Sequence, residues 1–125
     1  MNNSMPGMNQ VLGLPHQEKM AKVAICFDVD GTIIDHQGNE RERYTRLLVV
    51  MSHAFKNSKL IVWSGGGAKY AETRARELGI ESYADLFMSK LDHQKLRDSG
   101  FIILAFDDIQ DTALGDINLI VRQDK

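Results

Sequence analysis

Hydrophobic and polar residues alternate in blocks along this chain, and the length and period of each block predict an element. Val23–Phe27 is short and almost wholly apolar, the pattern of a strand covered on both faces. Residues 32–39 predict a small hairpin or loop, with Gly38 and Asn39 as turn residues. From Glu40 to Lys56, the side chains Tyr44, Leu47, Leu48, Met51 and Phe55 fall at spacings of three and four, with charges opposite; this predicts an amphipathic helix. Leu60–Trp63 is a second buried strand, followed by Ser64-Gly65-Gly66-Gly67, and Ala68–Leu78 is a helix ended by Gly79. A brief strand over Leu86–Met88 leads to Ser89 and Lys90, and Asp92–Asp98 forms a short helix stopped by Gly100. Phe101–Phe106 is a further apolar strand ending in Asp107-Asp108. A helical turn near Thr112 and a strand over Asn118–Val121 close the pattern. Residues 1–20, rich in Asn, Gly, Pro and Met, show little periodicity and predict a flexible tail, which leaves 21–125 as one domain.

Strands that alternate with helices predict an α/β fold with an open, mostly parallel sheet. Such sheets bind ligands outside the carboxyl ends of their strands. The chemistry-bearing residues of this chain fall there: Asp28 and Asp30 after the first strand, Ser64 after the second, Lys90 after the third, Asp107 and Asp108 after the fourth. Composition narrows the field. An apolar share of 43% and a charged share of 26% are those of an ordinary globular domain, and a net charge of −2 gives no electrostatic footprint for nucleic acid or an anionic membrane. The single cysteine permits no internal disulfide, which fits a cytoplasmic setting. The apolar runs are strand-length, so no membrane span is expected.

The run Phe27-Asp28-Val29-Asp30-Gly31-Thr32 carries the most chemistry. Side chains two apart on a strand share a side, so Asp28 and Asp30 are expected to face one pocket. Carboxylates held close repel unless a cation or a shared proton relieves them, and Mg²⁺ suits a cage of oxygens. One acid on a metal and a second free to exchange protons is equipment for phosphoryl transfer.

The set Asp28-Val29-Asp30-Gly31-Thr32, Ser64, Lys90 and Asp107-Asp108 resembles the haloacid dehalogenase (HAD) superfamily of phosphotransferases from about Lys22 to Val121. The first motif is specific; the later ones gain force from their order. The resemblance implies a Rossmann-like three-layer sandwich, a Mg²⁺ cofactor and an aspartyl-phosphate intermediate, hence a phosphatase (a phosphoric monoester hydrolase). It implies Asp28 as the nucleophile, and Asp30 as general acid and then base, with its main-chain carbonyl on the metal. Ser64 with Gly65 and Gly66 would receive the phosphoryl group at a helix start. Lys90 would balance its charge, with Lys95 as the alternative because Leu91 follows Lys90 where the family often has Pro. Asp107 would ligate the metal, with Asp108 supporting or sharing that role, and Asp111 is a candidate for holding a metal-bound water. Thr32 would cap the bend or touch substrate.

Many members of that superfamily carry a cap domain. Here the loop, helix and strand between Asp30 and Ser64, and the helix and strand between Ser64 and Lys90, use up the residues, so no cap domain is expected. Uncapped members of that superfamily act on macromolecular ends and bulky substrates or cover each other's sites by self-association into a homo-oligomer; the substrate candidates are a phosphorylated small molecule or a phosphate end of nucleic acid. The loop from Ile33 to Asn39, which holds His36, would be the one intrinsic lid. Two other classes compete: a receiver-like phosphoacceptor module, whose motif order differs from this one, and a non-catalytic binding domain on the same scaffold. Cys26, His53, His93 and Trp63 are read as core or ordinary surface residues, and Arg41, Arg43 and Arg46 as a solvated face.

Overall fold

The run Val23–Phe27 lacks polar alternation, so a strand built from it needs cover on both faces. The computed structural model, which describes residues 22–108 and 114–123, puts that run at the centre of a five-stranded, all-parallel sheet. Strand β1 (Lys22–Asp28) lies between β2 (Lys59–Ser64) and β4 (Phe101–Asp107). Outside them lie β3 (Leu86–Ser89) and β5 (Ile117–Ile120), giving the order β3-β2-β1-β4-β5. Three helices occupy the described residues: α1 (Glu42–Ala54), α2 (Ala68–Glu77) and α3 (His93–Asp98).

The helices divide between the faces. Ile25, Phe27, Leu60, Val62 and Phe106 form one cluster with Leu48 of α1 and Ala71 and Ala75 of α2. Alternate residues of the same strands, Ala24, Cys26, Ile61, Trp63, Ile103 and Ala105, meet Leu96 of α3. The result is an α/β sandwich of three layers, consistent with a Rossmann-like architecture. Phe27 and Phe106 bind β1 to β4 through rings stacked at 4.5 Å and 12°. Among the described residues, no helix is long and apolar enough to cross a membrane.

Several boundaries differ from the sequence pattern, each for a local reason. The first helix is shorter than Glu40–Lys56 because Glu40 is held extended by an antiparallel bridge to Ile34; its carboxylate accepts from the Thr45 hydroxyl at 2.6 Å. At the other end Phe55 leaves helical angles while its N–H still donates to the Met51 carbonyl. The segment expected as a small hairpin or loop is a loop drawn together by that bridge. The Asp35 carboxylate accepts from the amides of Gln37 and Asn39, both at 2.9 Å, and pins its tip. The stretch expected as one helix over Asp92–Asp98 opens earlier, as a 3₁₀ turn over Lys90–Asp92 capped by the Ser89 hydroxyl, before α3 begins. The tail over 1–20 and the turn near Thr112 lie outside the described residues.

Leu48 is the fully buried apolar anchor of α1. Leu48→Ala is expected to lower unfolding free energy in a urea titration by about 3 kcal/mol, the range for a large-to-small change in a packed core. The exposed Leu91 is the control, and Leu91→Ala should shift it by less than about 0.5 kcal/mol.

Candidate functional site

Because every strand runs the same way, their carboxyl ends share one edge of the sheet. The chain passes from β1 to β2 and β3 on one side, then crosses back to β4 and β5 on the other. Sheets of this kind bind ligands at such a reversal of strand order, which here falls between the ends of β1 and β4. Asp28 ends β1 and Asp107 ends β4, and the pairing of Phe27 with Phe106 sets the two acids side by side. Both are buried, as alternation along the strands requires of residues that continue the Cys26 and Ala105 rows.

Lys90 enters from the end of β3. Its Nζ lies 2.7 Å from Asp28 Oδ1 and 2.6 Å from Asp107 Oδ2, an ammonium shared by two buried carboxylates. Asp108 follows β4 and turns inward, its own N–H donating to Asp107 Oδ1 at 2.7 Å. Asp108 Oδ1 is buried without a hydrogen-bond partner. Each of Asp28, Asp107 and Asp108 offers an oxygen within 4.8 Å of the others. Gly31 makes room for this packing. Its φ is +87°, and a Cβ there would lie 2.1 Å from Asp108 Oδ2, so a side chain at this position would strain the turn and push the Asp108 carboxylate aside.

The charges do not cancel. Three carboxylates face one ammonium, and the crevice is largely dry. Burial is the main force raising Asp28, joined by the charge of Asp107 and a hydrogen bond with Asp108 and opposed by Lys90; its pKa is pushed up to about 8. Asp108 is raised as well, first by burial and then by its hydrogen bond with Asp107. Burial works against the Lys90 charge, but its hydrogen bonds to Asp107 and Asp28 outweigh it and raise that pKa, so Lys90 is a cation. The site therefore either keeps a proton or takes up a second positive charge. Its donors are all carboxylate oxygens, one of them orphaned, and this set fits a hard divalent cation such as Mg²⁺.

The structure brings some of the sequence candidates together and leaves others apart. Asp30 does not share the Asp28 cluster. The strand stops at Asp28 and the chain turns at Val29, so the alternation that would align the two acids ends there. The Asp30 side chain is exposed and accepts from the Tyr70 hydroxyl at 2.8 Å. Thr32 is buried with its hydroxyl 3.4 Å from Asp28 Oδ2. Ser64 is buried at the end of β2, and its Oγ accepts from the Gly66 amide at 2.9 Å, tying the turn into α2. Gly65 and Gly66 are exposed, and α2 starts at Gly67 without a side-chain cap. Lys95 is exposed and pairs with Asp92 at 3.4 Å, away from the acids. Asp111 lies outside the described residues.

Gln123 and Tyr70, which the sequence pattern did not single out, stand around this centre with Arg41 and His36. Arg41 Nη1 and Gln123 Nε2 both donate to the Gly31 carbonyl, at 2.7 and 3.0 Å, and fix the turn beneath Asp28. The Arg41 guanidinium also lies over the Tyr44 ring, so it is a clamp rather than part of a solvated face. Tyr70 holds Asp30. His36 Nε2 lies 3.7 Å from Asp108 Oδ2, which brings the loop over 33–39 to the edge of the site. Cys26 is buried, and burial pushes its thiol far up, so it is inert core. Comparison with protein-family models, with curated proteins and with solved structures returns no match.

The raised Asp28 has a consequence for stability. The folded chain holds a proton that the unfolded chain loses near 3.8, so the contribution is complete below that pH and disappears as pH rises through about 8. In EDTA, melting temperature should fall from pH 5 to pH 8 by several degrees more in wild type than in Asp28→Asn. Mg²⁺ should raise it more at pH 8 than at pH 5, because the cation displaces the proton.

Proposed function

We propose that this chain is a Mg²⁺-dependent phosphatase of the uncapped HAD type, which hydrolyses phosphate monoesters through a phosphoryl group carried on Asp28. The observation that carries this reading is the buried Asp28–Lys90–Asp107 bridge, with the unpartnered oxygen of Asp108 beside it, at the crevice of a parallel sheet. A buried acid surplus costs stability, and a fold retains one where it does chemistry.

In this reading Asp28, Asp107 and Asp108, with the Asp30 carbonyl, hold Mg²⁺. The bound cation would neutralise phosphate oxygens and withdraw the charge that repels an attacking carboxylate. Lys90 and Thr32 orient the two oxygens of Asp28, and Lys90 adds positive charge where the transferring group gathers negative charge. Ser64 and the uncapped start of α2 receive the remaining phosphoryl oxygens.

An Asp28 oxygen attacks phosphorus as the ester P–O bond breaks, and the departing alkoxide takes a proton from Asp30. Asp30, now a carboxylate, takes a proton from water as the water oxygen attacks phosphorus. The bond from Asp28 to phosphorus then breaks, releasing phosphate and restoring both acids. One residue serves both half-reactions because they move the proton in opposite directions. Its exposure to solvent suits that exchange. The substrate is a phosphorylated small molecule or a phosphate end of nucleic acid, and a cytoplasmic setting goes with this reading.

Turnover of p-nitrophenyl phosphate should require Mg²⁺ and fall by about 10³-fold or more in Asp28→Asn. Acid quenching of wild type during turnover should trap phosphate on Asp28, visible as an 80 Da mass increase, about that of one phosphoryl group. Equal turnover by the variant, or a phosphoryl group trapped on another residue, would remove Asp28 as the nucleophile.

A further inference from the structure

Asp30 is an exposed carboxylate beyond the end of its strand, and a side chain so placed samples several rotamers unless something holds it. Tyr70, in the first turn of α2, is that holder. Its ring packs against the core cluster built on Phe27 and Val62, and its hydroxyl reaches out to Asp30 Oδ1 at 2.8 Å. The same ring leans on the turn after β2: a Cβ at Gly66 would lie 3.2 Å from Tyr70 Cδ2 and 3.4 Å from Ser64 Oγ. One side chain thus holds the acid after the first strand and lies close to the glycine turn after the second, where substrate would sit between them. Burial, then the hydrogen bond and charge of Asp30, push Tyr70 ionisation above its ordinary value, so the hydroxyl is a neutral donor.

Resting on the phosphatase reading, we infer that Tyr70 is a positioning residue, an aromatic wall of the substrate crevice that fixes the Asp30 carboxyl on the leaving-group side. Without that hydroxyl, Asp30 spends less time where it can hand a proton to the departing oxygen. In the first half-reaction the loss falls on substrates whose leaving group needs the proton. An alkoxide cannot depart without it, whereas p-nitrophenolate is stable unprotonated.

Tyr70→Phe keeps the ring, its packing and its contact with the Gly66 turn, and removes one oxygen. Steady-state kinetics in Mg²⁺ would compare this variant with wild type on β-glycerophosphate and on p-nitrophenyl phosphate. The expected result is a kcat/KM on β-glycerophosphate lowered about tenfold, a part of what proton transfer is worth, with kcat/KM on p-nitrophenyl phosphate changed less than about twofold; kcat/KM ends at departure of the leaving group, before the water step that both esters share. In an Asp30→Asn background the same substitution should cost nothing further, because the two residues act as one unit. Equal losses on both esters, no loss on either, or an additive loss in the Asp30→Asn background would each overturn the inference while leaving the phosphatase reading intact. A wild type without Mg²⁺-dependent turnover would overturn that reading, and this inference with it.

Discussion

The ammonium of Lys90, shared between Asp28 and Asp107, is the constraint on which the rest of the molecule depends. Each partner sits at the end of a different strand, and all three are largely withdrawn from water. Burying charges costs several kcal/mol per ion before attraction returns any of it, so such a bridge is a poor way to stabilise a fold. Here it is also incomplete, since Asp108 adds a further carboxyl with an unpartnered oxygen. The fold tolerates the imbalance because the apolar clusters on both sides of the sheet, with Phe27 stacked on Phe106 just below the acids, hold the strand ends in place.

Topology turns residues far apart in sequence into one site. A parallel sheet puts all carboxyl ends on one edge, and the reversal of strand order beside β1 leaves a crevice where Asp28 and Asp107 meet. The turns after the strands then supply shape. Gly31 lets Asp108 close in, and Arg41 and Gln123 lock the Gly31 carbonyl from the opposite side. Ser64 ties its own turn through the Gly66 amide. The scaffold is rigid and apolar; the polar groups at its rim are fixed one by one by short hydrogen bonds.

The elements were legible because their signals are local. An unbroken apolar run means a strand buried on two faces, and spacings of three and four mean a helix face. Both rules placed β1, β2, β4, α1 and α2 within a few residues of where they lie. Boundaries moved where a distant or neighbouring group intervened, as when the Ile34 bridge held Glu40 out of α1. At the site, residues at strand ends could be read as a set because parallel topology dictates where strands end. The convergence of Asp28, Lys90 and Asp107 follows from that rule. Side-chain partnerships across the chain could not be read. Tyr70 lies 40 positions from Asp30, Gln123 lies 92 from Gly31, and no periodicity encodes either pair. The expectation that Asp30 faces the Asp28 pocket extended strand alternation two residues beyond the end of β1.

Under the proposed function, the acids at these strand ends gather around one hard cation. Crystals grown or soaked in Mn²⁺, with anomalous scattering measured, test it directly. The account predicts a single strong peak within about 2.0–2.6 Å of carboxylate oxygens of Asp28, Asp107 and Asp108. An empty crevice at saturating Mn²⁺, with Lys90 still bridging the acids and the ion bound elsewhere, would contradict it.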